Sequence, residues 1–286
     1  MVEIITDSST LYTKKEAEKL GVEVVPLCVT IGDLEGRDLT IDMKEFYGRI
    51  RKGEIPTSSQ PPIGEVLEAY EKYPDCDIIN IAMADGLSGT YQSACSAKEI
   101  AENKDKITVF NSKTLCGPHR YMVEQAQKMK QEGCSAKEIL AWLKQATEKT
   151  ESFLIPQDFN FLRRGGRLTP MAAALGSVLK LKPIMTLTKD CKRLDKFAVK
   201  RTMKTAVETV IEHLKKANLD KRHILYVSHA NVLEEAKEVA NDLKENFPQT
   251  EIQILELGAV FVTQGGPKCI AIQYIERRTS NPPLQM

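Results

Sequence analysis

The chain has 286 residues and a mass of 32.0 kDa, a length that fits about two domains or one large α/β unit. Lys plus Arg number 40 against 39 for Asp plus Glu, so the +1 balance carries none of the basic excess that nucleic-acid binding uses. Hydrophobic residues are 42% and charged residues 28%, which excludes disorder for the bulk of the chain, and no apolar run reaches the ~18 residues of a membrane span.

In chain order, residues 2–6 form a short apolar strand pattern. Thr13-x-x-Glu16 is a capping-box match that opens a helix ending at Gly21. Residues 22–31 are β-branched and read as one strand, and 42–51 as a helix. Residues 53–62 are rich in turn formers. A helix over 63–72, a buried strand over 77–83, a helix over 88–103 and a strand over 107–110 follow. Two helices come next, over 119–131 and 136–149, the second opened by Ser135-x-x-Glu138. This alternation predicts βαβ units around a parallel sheet.

The second half reads differently. Residues 151–156 are strand-like, 159–167 form a basic glycine-interrupted loop, and 171–180 are helical. Residues 183–188 and 193–199 flank Lys189-Asp190-Cys191 as a hairpin. A helix over 204–216, a strand over 223–228, a helix over 233–244 and strands over 251–257 and 269–275 complete the pattern, with a frayed tail over 279–286. The expected fold is therefore α/β, with an N-terminal domain over 1–157 built on a parallel sheet and a C-terminal domain over 158–286 built on a mixed sheet.

Composition restricts the chemistry. The seven cysteines are odd in number and widely spaced, with no Cys-x-x-Cys, and the four histidines lack ligand spacing. A disulfide framework, a metal site and a cofactor are not expected, and a reducing cytoplasm fits. The amino terminus has no basic leader and no long apolar stretch, so neither secretion nor stable membrane insertion is expected. No G-x-G-x-x-G and no P-loop motif is present.

Five polar segments carry the candidate chemistry. Thr6-Asp7-Ser8-Ser9 follows the first strand, at the sheet edge where ligands of α/β proteins bind; its acid can equally cap the next turn. Pro56-Thr57-Ser58-Ser59-Gln60-Pro61 crowds three hydroxyls between two prolines. Leu87-Ser88-Gly89-Thr90 precedes a helix, with Ser88 placed as its N-cap, where free N–H groups favour an anion. With Gly86 it nearly matches the G-x-S-x-G nucleophile elbow, but Thr90 replaces the last glycine and no histidine is paired with Ser88. Arg163-Arg164-Gly165-Gly166-Arg167 offers guanidinium groups suited to a carboxylate or phosphate. Val262-Thr263-Gln264-Gly265-Gly266-Pro267 reads as an irregular turn carrying one amide side chain.

Taken together, ITDSS (5–9), SSQP (58–61), LSGTYQSA (87–94), FLRRGGRL (161–168) and LKPIMTL (181–187) resemble, in order and spacing, the DegV family of bacterial fatty-acid-binding proteins. The resemblance implies two α/β domains holding one long-chain fatty acid between them, its tail in an apolar tunnel and its carboxylate on hydroxyls. It also implies, for some members, a partner: the ATP-binding subunit of a fatty acid kinase. Carried over residue by residue, it places Ser58, Ser88, Arg167 and Gln264 at the carboxylate, with Asp7, Ser8, Ser59, Thr90 and Arg164 as further candidates. Ser58 stands where the family has threonine, which keeps the hydroxyl. Gln264 stands where it has histidine, and Val262 and Lys268 replace glycines. Glutamine can hydrogen-bond a carboxylate but cannot pass a proton near neutral pH.

The sequence reading is thus a lipid carrier that is not an enzyme by itself. Residues 171–179 with Phe159, Phe161 and Leu162 are its candidate tunnel residues. The alternatives are a small-molecule enzyme acting on a polar acid or phosphate, and a nucleic-acid-associated regulator, which the charge balance opposes.

Overall fold

The first strand is apolar on both faces, as a strand covered by helices on both sides requires. In the computed structural model, which describes residues 1–175 and 181–279, it is β1 (Val2–Asp7). The chain continues through α1 (Lys14–Leu20), β2 (Glu23–Val25), β3 (Cys28–Ile31), β4 (Leu34–Arg37), α2 (Met43–Arg51), β5 (Thr57–Ser59) and α3 (Ile63–Glu71). Next come β6 (Asp77–Ala82), α4 (Thr90–Ile100), β7 (Ile107–Asn111), α5 (Cys116–Gln131) and α6 (Ala136–Ala146). The second half holds β8 (Thr150–Ile155), α7 (Phe159–Gly165), α8 (Pro170–Ala173), β9 (Lys182–Leu187), β10 (Leu194–Lys200) and α9 (Met203–Lys216). It ends with β11 (His223–His229), α10 (Leu233–Asn246), β12 (Glu251–Glu256), α11 (Ala259–Gly265) and β13 (Ile270–Glu276).

Strands β2-β1-β6-β7 form a parallel sheet. Strands β10-β9-β8-β13-β11-β12 form a mixed sheet in which only β11 and β12 run parallel. The fold class is therefore α/β, with a parallel sheet in the N-terminal part and a mixed sheet in the C-terminal part. Both capping boxes form, at Thr13 with Glu16 and at Ser135 with Glu138.

Several elements differ from the sequence expectation. The run 22–31 is two strands, because Pro26 supplies no N–H to a ladder. β2 stays in the parallel sheet, whereas β3 joins β4 and β5 in a small antiparallel sheet. The stretch expected as turns therefore contains β5, with Ser58 opposite Val29. The basic loop expected over 159–167 is mostly α7, capped by Asp158, whose Oδ1 accepts from the Asn160 N–H at 2.9 Å. The irregular turn expected over 262–267 begins as α11, so Gln264 sits on a helix. Ser88 is not the N-cap of α4. Gly89 holds that position, and Ser88 Oγ lies 2.8 Å from Thr90 Oγ1. The helix expected over 171–180 is the short α8, and its remainder, 176–180, lies outside the described residues, as does 280–286 of the expected tail. β8, on the N-terminal side of a boundary at 157, pairs with β13 and β9 of the mixed sheet.

Helix α5 joins the two halves. Its Met122, Val123 and Ala126 are fully buried among Ile79 and Ile81 of β6, Ile224 and Tyr226 of β11, and Ile275 of β13. Each large side chain buried this way contributes about 1.5–3 kcal/mol, so the helix fixes the distance between the sheets.

Candidate functional site

Residues that follow the carboxyl ends of β2, β6 and β7 (Leu27, Met83 and Leu115) meet residues of the mixed sheet. A cavity of about 210 Å³ lies between them. Leu27, Met83, Leu87 and Leu115 line it from the parallel-sheet side. Leu154, Met185, Leu187 and Leu194 line it from the mixed sheet, and Leu257, Val260 and Phe261 from α11 and its approach. The hairpin tip between β9 and β10 closes over this space because Gly86 has no side chain. A Cβ there would run into the backbone of Lys192.

One end of the cavity is polar. Gln264 Nε2 donates to Ser58 Oγ at 3.1 Å. The other amide atom, Gln264 Oε1, lies against Gly165, where a Cβ would collide with it. The Gly165 carbonyl accepts from Arg167, and Arg167 Nε donates to the Leu87 carbonyl at 3.1 Å, next to Ser88. The backbone of Arg167 is itself fixed, because its carbonyl accepts from the Leu194 N–H at 2.8 Å. Beyond Ser88, Gly89 lies against the Gln60 amide, which returns the chain of contacts to Ser59 and Ser58. Segments far apart in sequence thus close into one rim. Among the described residues lining the cavity, Arg167 is the single formally charged one.

The four primary candidates, Ser58, Ser88, Arg167 and Gln264, all line this cavity, and so does Ser59. The others do not. Asp7 is a structural cap: its Oδ1 accepts from the Ser9 N–H and its Oδ2 from the Met83 N–H, both at 2.8 Å. Ser8 Oγ accepts from the Leu27 N–H at 3.1 Å. Thr90 is buried against Ser88. The Arg164 guanidinium lies 4.6 Å from the Phe161 ring centre on the surface, a cation–π contact away from the cavity. Of the tunnel candidates, Leu162 lines the space, Phe159 is buried behind it against Leu162 and Met185, Phe161 is buried without lining it, and Met171 is 72% exposed. Sequence reasoning missed Gln60, Ser152, Cys116, Cys269 and Gln273 as lining residues. Gln60 sat inside the quoted SSQP motif. Gln273 had a signal too, as the lone amide in the apolar strand IAIQYIE.

Among the described residues lining the cavity, none is an activated nucleophile. Ser88 Oγ is bonded to Thr90, not to a base. Burial pushes the Cys269 thiol up to about 12 and raises Cys116 well above the usual thiol range, so both stay protonated. His119 is buried elsewhere and kept neutral by desolvation. Its Nε2 lies 3.0 Å from the Ile81 carbonyl, an acceptor, so Nδ1 accepts from Ser9 Oγ at 2.8 Å. Among the described residues no group of three or more His, Cys, Asp or Glu could hold a metal, and no helix is long and apolar enough to cross a membrane. The rim offers hydroxyl and amide donors with one cation, and the walls offer hydrocarbon. That combination fits an amphipathic acid.

Residues 1–277 match the family described as "Uncharacterised protein, DegV family". The chain belongs to the DegV family. Protein DegV of Bacillus subtilis is 31% identical over 277 residues, covering 95% of this chain and 98% of that one. The crystal structure of DegV, a fatty acid binding protein from Bacillus subtilis, superposes with a TM-score of 0.85 at 30% identity, over 96% of this chain and 99% of that one. A structure showing fatty acid binding of a DegV family protein from Thermus thermophilus gives 0.87 at 28% identity, with the same coverages.

Proposed function

We propose that this DegV family protein binds one long-chain fatty acid in the cavity, with its carboxylate at the rim of Ser58, Ser88, Arg167 and Gln264. One observation carries the reading: four polar side chains from β5, the loop before α4, the loop after α7 and α11 meet at one end of an apolar space. The relatives described as fatty acid binding proteins support it.

The energetics divide along the ligand. A C16 chain buries about 14 methylenes, for a gross gain of ~11 kcal/mol at ~0.8 kcal/mol each. Immobilisation and headgroup desolvation reduce this, leaving room for a sub-micromolar dissociation constant. The tail supplies affinity. The rim prevents a buried carboxylate from going unpaired, which would be costly.

The protein is then a carrier with no reaction of its own, working in a reducing cytoplasm; all seven cysteines are unpaired, which agrees with that setting. A kinase subunit with bound ATP is the partner to which such a carrier presents its acid. Because Gln264 does not titrate near neutral pH, that partner supplies all acid–base chemistry. Mass spectrometry of lipid extracted from denatured protein tests the binding reading. A C14–C18 fatty acid is expected. Repeated preparations that are empty, and that take up neither palmitate nor oleate, overturn it; a polar acid or phosphate in their place points to the enzyme reading.

A further inference from the structure

The cavity has a second polar place, away from the rim. On β13 the side chains of Ala271 and Gln273 line the cavity, and their partners across the ladder with β8 are Leu154 and Ser152. Gln273 is 2% exposed and its amide is fully engaged. Oε1 accepts from the Gly117 N–H at 3.3 Å, while Nε2 donates to the Leu115 carbonyl at 3.1 Å and to Ser152 Oγ at 2.8 Å. Ser152 is therefore held as an acceptor toward Gln273. Its own O–H finds no acceptor among the described residues, and it faces the cavity.

We propose that Ser152, fixed by Gln273, is a donor for an oxygen atom in the middle of the acyl chain, so that the protein selects mid-chain hydroxy or oxo fatty acids over plain saturated ones. The proposal rests on the fatty-acid reading and deepens it. Methylenes offer the Ser152 hydroxyl no acceptor, and none is found among the described residues. An oxygen on the chain at that depth pairs it. The depth follows from strand geometry. Gly265, adjacent to Gln264 of the rim, packs on Cys269. Gln273 lies four residues further along the strand, about 13 Å at ~3.3 Å per residue. An extended hydrocarbon advances about 1.3 Å per carbon, from ~1.5 Å bonds at tetrahedral angles. The oxygen therefore belongs near the tenth carbon.

The test is calorimetry on the delipidated full chain with stearate, 10-hydroxystearate, 10-oxostearate and 5-oxostearate. In the native protein the two 10-substituted acids should bind more tightly than stearate, and equal or weaker binding overturns the selection. The 5-oxo isomer, whose oxygen faces Leu154 and Met185, should bind roughly tenfold more weakly than the 10-oxo isomer. Ser152→Ala should lower the affinity for 10-oxostearate about tenfold relative to stearate. Equal affinity for the two positional isomers, or a Ser152→Ala loss that is the same for stearate and 10-oxostearate, means that Ser152 only anchors the start of α5. The isomer comparison needs no variant, so a folding defect in Ser152→Ala does not spare the proposal. Failure of every C18 acid to bind refutes the fatty-acid reading, and this one with it.

Discussion

Gly165→Ala reaches the rim without removing any group assigned to the ligand. A Cβ at this position meets Gln264 Oε1, the far end of a flexible side chain, and Gln264 Cδ at 3.4 Å. The amide must turn away and give up its 3.1 Å bond to Ser58 Oγ. The fold should tolerate this. Gly165 closes α7 with ordinary negative φ, so alanine gains up to about 1 kcal/mol of helix propensity. A displaced side-chain torsion costs about 0.5–1.5 kcal/mol, leaving the net within ~1 kcal/mol. Binding should suffer more. A hydrogen bond to a charged group contributes about 1.5–3 kcal/mol, so the acid should bind ~10–100-fold more weakly. A fatty alcohol of equal length, with no charge to satisfy, should lose only several-fold. Calorimetry with palmitate and hexadecanol reads both ratios, and urea unfolding reads the stability. Equal losses for acid and alcohol would show that Gln264 does not read the charge. A stability loss above ~3 kcal/mol would show that the helix, not the amide, absorbs the clash.

Three further outcomes follow from the same geometry. Ser58→Ala and Ser88→Ala should each weaken palmitate binding by ~1–3 kcal/mol and hexadecanol binding by less; calorimetric losses matching between the two ligands would remove these serines from the carboxylate. Gln264→His should introduce tighter binding at pH 6 than at pH 8, because a protonated imidazole adds positive charge, whereas a flat profile in the variant would place residue 264 away from the headgroup. Asp38 is 2% exposed, its Oδ1 accepting from the Val260 N–H at the start of α11, and burial, with the nearby Asp7 charge adding, raises its carboxyl from 3.8 to about 6. The folded state thus holds an extra proton between those values, so this group's contribution is most favourable below pH ~4 and falls by about 3 kcal/mol as pH rises through about 6. Asp38→Asn should remove that slope in urea unfolding between pH 4 and 7, and parallel slopes in both proteins would refute the assignment.

The regular elements were legible where local periodicity decided them. β1, β6 and β11 are apolar runs, and the capping boxes at Thr13 and Ser135 announced their helices. Glycine pairs misled. Gly165-Gly166 and Gly265-Gly266 read as loops, yet each pair closes a helix, with Gly166 at positive φ after α7 and Gly266 at positive φ after α11. Helix stops and loops share this residue signature, and only the preceding turns separate them. The rim was legible because each of its members sits in a polar motif. Its grouping was not, since Ser58 and Gln264 are 206 residues apart. Asp7 and Ser8 were in the right motif but serve the backbone, because a sheet's carboxyl edge needs its own caps as well as its ligands. The Ser152–Gln273 pair was invisible because a cross-strand contact over 121 residues leaves no local pattern.

The orientation of the bound acid tests the central claim most directly, and a crystal structure of the palmitate complex measures it. The account predicts the carboxylate within hydrogen-bonding distance of Ser58, Ser88, Arg167 and Gln264, with the tail running between Leu154 and Met185 toward Gln273. A carboxylate seated on Ser152 with the methyl end at the rim, or a fatty acid bound outside the cavity, contradicts it.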